Sequence, residues 1–246
     1  MPRFAVILPA AGKSSRFRDR EKKTFVNLDG RAVWLRCAEL FVTRDDVCQC
    51  LIVVAPEDQE TFRRRYQANL AFMNAQVADG GKERFDSVAN ALAKVKEEAE
   101  FIAVHDAARP CVTAEMIETV FMSAAKTGAA MLAVPVSDTI KRSDDKGRVT
   151  ETVPRKGLWL AQTPQVFRRD WLIEAYAKRS QLGRDITDDA QLIEAIGHPV
   201  YLVQGSTTNV KITTREDLTL AEAVLKARPK PKAARPIHPF EDEYKW

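Results

Sequence analysis

Apolar residues along this chain gather in short runs, separated by stretches in which they recur every three or four positions. "FAVIL" (4–8) precedes helical periodicity over 32–41, "CLIVVA" (50–55) precedes 58–70, "NAQVA" (74–78) precedes 85–96, and "FIAVH" (101–105) precedes 114–126, before a fifth run, "AAMLAVPV" (129–136). Short runs of branched apolar residues read as strands covered on both faces, and a 3.6-residue period predicts amphipathic helices. Their alternation predicts an α/β fold: a mostly parallel sheet, helices on both faces, and right-handed crossovers. Helical patterns return over 170–180, 187–196 and 216–226, with further strands predicted at "VYLV" (200–203) and "NVKIT" (209–213).

Residues 136–167 break the alternation. "SDTIKR", the turn "SDDKG" and "RVTETV" predict a hairpin, followed by an extended "LWLAQTPQVF". The segment reads as an excursion from the main sheet, and a two-stranded ribbon needs something to pack on, a second subunit being one candidate. From 229 to 246 the chain carries Pro229, Pro231, Pro236 and Pro239 without periodicity. That tail is expected to be extended or disordered, with Phe240 and Trp246 as candidate docking points. The organisation expected is one domain over 1–228, with a β-arm at about 137–160, and a Pro-rich tail.

No apolar run approaches the roughly 18 residues of a membrane helix, and "FAVIL" is shorter than a signal-peptide core and is stopped by Pro9, so a cytoplasmic location is expected. Cys37, Cys48, Cys50 and Cys111 form no C-x-x-C pair, which favours reduced thiols over a disulfide or zinc site. The formal charge of +4 is concentrated: Lys13, Arg16, Arg18, Arg20, Lys22 and Lys23 stand against Asp19 and Glu21 in one stretch. A nucleic-acid binder would spread cations over a face with aromatic partners, whereas one cationic loop suits a compact anion. A solvated charged loop is the plainer alternative.

In parallel sheets ligands bind beyond the carboxyl ends of the strands. "PAAGKSSR", "DGGKERFDS" and "HDAARP" follow the first, third and fourth strand runs, so one site can draw on all three. "GKSS" is not a phosphate-binding P-loop, because the required earlier glycine position is Ile7; nor is it a dinucleotide fingerprint, whose later glycine positions hold Ser14 and Phe17. What remains is a strand entering Pro9, Ala10, Ala11 and Gly12. Small residues let backbone N–H groups approach a phosphate or base, with cations behind them.

"PAAGKSSRF", "KKTF", "GGKERFDSV", "VHDAARP", "DTIKR", "LAQTPQVF", "ITDDA" and "NVKIT" together resemble, in order, the signature blocks of the 2-C-methyl-D-erythritol 4-phosphate cytidylyltransferases, over about residues 5–227. The resemblance implies a Rossmann-like, GT-A-like nucleotidyltransferase fold with a protruding β-arm. It implies transfer of CMP from CTP to a polyol phosphate with release of pyrophosphate, in isoprenoid precursor biosynthesis. The nucleophile is a phosphate oxygen, largely ionised at neutral pH because its second pKa is about 6. No general base is required, which suits a chain with only His105, His198 and His238.

By resemblance, Arg16 and Lys23 contact the triphosphate, and Lys211 and Arg155 orient the substrate phosphate. These four are the expected catalytic residues. Ala10, Ala11, Gly12, Lys13, Gly80, Gly81 and Ser87 are expected to bind CTP, the "GG" pair by backbone hydrogen bonds to the base edge. As plain charges that match no family-defining position, Lys13, Arg18, Arg20 and Lys22 read better as solvated surface. Asp106, Arg109, Thr139 and Thr187 are expected to bind the polyol phosphate. Asp106 is also the candidate ligand for Mg²⁺, which the CTP phosphates would mainly hold. The arm that carries Thr139 and Arg155 is implied to reach a second subunit's site, which makes a homodimer the expected working unit, with neither nucleic acid nor membrane as partner. Ser14 departs from the glycine common in the family. Arg84 could pair with internal carboxylates or face the nucleotide. His105 reads as packed rather than as a ligand, and Thr163 and Gln165 as turn residues around Pro164. The rival readings are a cytidylyltransferase for another polyol phosphate, such as ribitol 5-phosphate, and a non-catalytic nucleotide-binding module.

Overall fold

The structure is a computed structural model, and it describes residues 1–14, 17, 21–181 and 186–229. Arg16, Arg18, Arg20 and the tail beyond Pro229, with Phe240 and Trp246, lie outside the described residues.

Seven strands form the central sheet: β1 (Phe4–Pro9), β4 (Val47–Val54), β5 (Gln76–Asp79), β6 (Phe101–Val104), β7 (Ala129–Pro135), β10 (Trp159–Arg168) and β11 (Tyr201–Gln204). Their order is β11-β7-β10-β6-β1-β4-β5. Every neighbouring pair is parallel except those that involve β10. A two-stranded ribbon of β2 (Asn27–Leu28) and β3 (Arg31–Ala32) stands apart, as does the arm hairpin of β8 (Ile140–Ser143) and β9 (Val149–Val153).

The alternation of side chains along β1 explains the unbroken "FAVIL" run. Phe4, Val6 and Leu8 enter one buried cluster, while Ala5 and Ile7 enter the cluster on the other face. On the first face lie α1 (Val33–Val42), α2 (Gln59–Phe72) and α4 (Ala114–Thr127). The second face is covered by α3 (Arg84–Leu92), α5 (Arg169–Lys178) and α6 (Asp189–Ala195). Helix α7 (Arg215–Ala227) closes a third cluster with Phe17, Leu28 and Ile212. Helix ends follow local chemistry. The Thr113 hydroxyl accepts the Met116 N–H at the start of α4, which stops at Gly128 with φ 91°, and a capping box of Thr214 and Asp217 opens α7.

Two sequence expectations need correction. The excursion over 136–167 is only the hairpin, because β10 re-enters the middle of the sheet, antiparallel between β7 and β6. Its polar letters concealed a central strand. Gln162, Thr163 and Gln165 are buried there, each with side-chain partners: Gln162 donates to Ser206 O at 2.8 Å, and Gln165 donates to Asp188 Oδ2 at 2.9 Å. Thr163 and Gln165 are therefore strand residues rather than turn residues. "NVKIT", conversely, joins no strand. Asn209 and Ile212 are buried, and the Ile212 N–H donates to Ala108 O at 2.8 Å, so packing and scattered hydrogen bonds hold the segment rather than a ladder.

Candidate active site

At the carboxyl ends of β1, β5 and β6 the three polar loops meet around a cleft of about 980 Å³. Ala10, Ala11, Gly12, Lys13, Lys23, Gly80, Gly81, Ser87, Asp106 and Lys211, all expected from the sequence, line it, as does Arg84. Its charged lining is Lys13, Lys23, Lys82, Arg84 and Lys211 against Glu57, Glu83 and Asp106. The excess of cations gives the cleft the sign that a polyphosphate requires.

The first wall is the loop after β1. The Ala10 N–H donates to Val53 O at 2.8 Å, which ties the exit of β1 to β4. A Cβ added at Gly12 would meet nothing within 4 Å, so the protein's own packing does not require glycine there; the space belongs to the cleft. Ser14 takes a left-handed conformation, φ 54°, which favours glycine. Serine holds the turn by its bonds: Ser14 O accepts the Phe17 N–H at 2.9 Å, and Ser14 Oγ accepts the Lys23 N–H at 3.2 Å. With Phe17 buried, the chain returns so that Lys23 reaches the cleft. Lys22, by contrast, is not a solvated cation but pairs with Asp58 and, at 3.6 Å, with Glu57.

The second wall is the turn from β5 into α3. Here the N–H groups of the glycine pair are already engaged within the protein. The Gly80 N–H donates to Val54 O at 2.8 Å and the Gly81 N–H to Ser87 Oγ at 3.0 Å, so neither is free for a base edge. What requires glycine is proximity. A Cβ on Gly80 would lie 2.5 Å from Ala11 Cβ, and one on Gly81 would lie 2.2 Å from Asp86 Cβ. The pair lets this turn close on the β1 loop and on the capping box of Glu83 and Asp86 at the start of α3.

The third wall is Asp106, the buried residue after β6. Its N–H donates to Thr163 Oγ1 at 3.0 Å, and its carboxylate lies 2.7 Å from Lys211 Nζ, 3.5 Å from Arg84 Nε and 3.7 Å from Arg109 Nε. Burial is the largest single influence and opposes the charge, yet Lys211, Arg84 and Arg109 together outweigh it and hold the carboxyl well below the usual carboxylate range. Arg109 does not line the cleft. Its guanidinium donates to Asn209 O at 2.7 Å and braces Asp106 from behind, a different place from the substrate contact expected of it. His105 is fully buried, with Nε2 3.2 Å from Arg109 O and Nδ1 3.2 Å from Thr163 Oγ1; desolvation pushes its pKa down to about 4. It is the packed histidine the sequence suggested.

Thr139, Arg155 and Thr187 are exposed and do not line the cleft formed by one chain. Thr187 is engaged locally, its N–H 2.6 Å and its hydroxyl 3.1 Å from Gln191 Oε1. Sequence reasoning missed the buried Asp189 and its partly buried partner Tyr176 beside Arg84, and gave no role to Asn209. Asn209 is fully buried, donating from Nδ2 to Thr163 O at 3.1 Å and so joining the Lys211 segment to β10. A polar letter in a short motif does not reveal its burial.

Comparison with known proteins matches residues 4–227 to the family model described as "IspD: 2-C-methyl-D-erythritol 4-phosphate cytidylyltransferase". The chain belongs to this family. A cytidylyltransferase of that name from Rhodopirellula baltica is 43% identical over 232 residues, 90% of this chain and 94% of its own length. The one from Pelotomaculum thermopropionicum is 41% identical over 229 residues, 93% of this chain and 96% of its own. Among solved structures, the cytidylyltransferase from Thermus thermophilus superposes with a TM-score of 0.74 at 32% identity, covering 89% of this chain and 98% of that one. A crystal structure of 4-diphosphocytidyl-2C-methyl-D-erythritol synthase gives 0.77 at 34% identity, covering 92% and 99%. The mostly parallel α/β sheet is thus the fold of the 2-C-methyl-D-erythritol 4-phosphate cytidylyltransferases.

Proposed function

We infer that this chain is a nucleotidyltransferase that transfers CMP from CTP to 2-C-methyl-D-erythritol 4-phosphate. The products are 4-diphosphocytidyl-2-C-methyl-D-erythritol and pyrophosphate, in isoprenoid precursor biosynthesis. The observation that carries the reading is the convergence of three family motifs on one cation-lined cleft, with Asp106 and Lys211 2.7 Å apart within it. The attacking phosphate oxygen needs no base to remove a proton, because a phosphate monoester with second pKa near 6 is mostly a dianion at neutral pH. In agreement, His105, next to Asp106, is buried, has both ring nitrogens engaged, and is held neutral. What remains is to bring two anions together in line and to stabilise charge on the α-phosphate and the leaving pyrophosphate.

Lys23, with Arg16 from the same loop, is proposed to hold the triphosphate, and Lys211 to receive the incoming phosphate. Asp106, fixed by Thr163 and by three cations, would orient the polyol hydroxyls. Mg²⁺ commonly takes one or two carboxylates and completes its shell with substrate phosphates and water. Among the described residues no group of three or more acidic, histidine or cysteine side chains could hold a metal by itself, while Asp106 lines the cleft where substrate phosphates would complete a shell, which fits that pattern. When bound, the cation would neutralise phosphate charge in the transition state.

A homodimer is part of the proposal. Val149, Leu158, Trp159 and Leu160 expose large apolar surface on and beside the arm, and Tyr201 and Leu202 do so on the edge strand β11. This surface supports a second subunit, and the exposure of Thr139 and Arg155 supports their serving a neighbour's cleft. A cytoplasmic setting is proposed with it, since all four cysteines are free. Among the described residues no helix is long and apolar enough to cross a membrane. Pyrophosphate release with CTP and Mg²⁺, comparing methylerythritol 4-phosphate with ribitol 5-phosphate, tests the reading. Turnover with the former is expected; turnover with ribitol 5-phosphate alone, or with neither, overturns it.

A further inference from the structure

Behind Arg84, away from Asp106, lies an acidic partner to which no motif assigns a role. Asp189, the first residue of α6, is fully buried. Its Oδ2 accepts from Arg84 Nη2 at 2.6 Å, and its Oδ1 accepts from Tyr176 Oη of α5 at 2.5 Å. Arg84 is the first residue of α3, lines the cleft, and keeps its Nε 3.5 Å from Asp106. The amino termini of α3 and α6 and the body of α5 are thus joined through one carboxylate, and the guanidinium it holds ends at the cleft.

We propose that Asp189 and Tyr176 are positioning residues, anchoring Arg84 so that Asp106 is left to Lys211. Arg84 stands between two carboxylates and binds the remote one in the shorter contact, 2.6 Å against 3.5 Å, while Asp106 makes its own short contact, 2.7 Å, with Lys211. A buried carboxylate with a charged hydrogen-bond donor on one oxygen and a phenol on the other holds its partner in one geometry. Without the anchor, Arg84 has a single acidic partner left. It would close on Asp106, compete with Lys211 and turn the carboxylate away from the substrate. Tyr176 keeps the free oxygen of Asp189 from recruiting Arg84 further, and its phenol is held neutral, chiefly by burial and next by the Asp189 charge.

This inference rests on the cytidylyl-transfer reading, and its test separates the two. Steady-state kinetics would be measured for Asp189→Asn, Tyr176→Phe, Arg84→Met and the two double variants that contain Arg84→Met. Asp189→Asn is expected to lower kcat/KM for the polyol phosphate about tenfold in the otherwise native chain, but by less than about twofold once Arg84 is methionine. Tyr176→Phe should show the same non-additivity with a smaller loss, and it decides alone if Asp189→Asn fails to melt cooperatively. Equal losses in both backgrounds overturn the proposal. The ¹⁵N NMR signal of the Arg84 Nη2 amino group, the donor to Asp189, supplies a readout independent of turnover. It should be protected from exchange in the native protein and lose protection in Asp189→Asn, and unchanged protection overturns the anchor. A native protein that turns over neither polyol phosphate defeats the functional reading and leaves the NMR comparison to judge the anchor.

Discussion

Replacing Gly80 with alanine places a methyl group between the two loops that make the nucleotide side of the cleft. The added Cβ would lie 2.5 Å from Ala11 Cβ, with Ala55 Cα and Val54 O each 3.2 Å away on the strand side. Carbon atoms in contact prefer about 3.5 to 4.0 Å, so roughly 1 Å or more must open. The strand side cannot give, because Gly80 N–H is bonded to Val54 O within the sheet. The strain therefore falls on Ala11, and the β1 loop moves into the cleft. Overpacking of this kind costs about 2 kcal/mol, which in a domain of this size lowers Tm by about 4–8 °C. A 1 Å displacement of a positioning loop costs on the order of a hundredfold in rate. Thermal melts, calorimetric titration of CTP, and pyrophosphate release would measure the three effects. Gly12→Ala is the control: its Cβ meets nothing within 4 Å, so the melt should match the native protein while CTP binding weakens, because the new methyl occupies cleft space. If Gly80→Ala melts, binds CTP and turns over like the native chain, the close approach of the two loops is not what the glycine provides.

His105 should leave a signature in acid. Its folded pKa is about 4 against an ordinary 6.5, so the unfolded chain takes up the proton first; the stability is fully present above 6.5 and is lost as pH falls toward 4. The loss amounts to about 3 kcal/mol. Urea unfolding of the native chain and His105→Gln between those pH values should show a steeper decline for the native chain, and parallel curves would refute the assignment. Asp106, whose pKa is also depressed, loses its contribution only below its ordinary 3.8, outside that window. For the proposed arm, mixing inactive Arg155→Ala with inactive Lys211→Met should restore about a quarter of native activity if each arm serves the other subunit, since half the dimers are mixed and each holds one intact site. No recovery after verified subunit exchange would place Arg155 in its own chain's service.

Strand–helix alternation and the order of eight short motifs were legible in the chain, because both are local. A strand covered on both faces must be apolar throughout, and loops at strand ends concentrate small and charged residues. The alternation by itself placed "PAAGKSSR", "GGKERFDS" and "HDAARP" at one end of one sheet, and Lys23, Asp106 and Lys211 do share one cleft. Tertiary structure decided what depends on partners remote in sequence. Thr163 and Gln165 read as turn residues until pairing with β6 and β7 placed them, with Gln162, in a central antiparallel strand. The glycine pair suggested base recognition, and only the approach of Ala11 and Asp86 showed that it also serves closure. Arg84 stayed ambiguous because its short-range partner, Asp189, lies 105 residues away. Pattern fixes which faces are buried, since burial follows period; which charge meets which is settled only when the chain has folded, since an ion pair has no period.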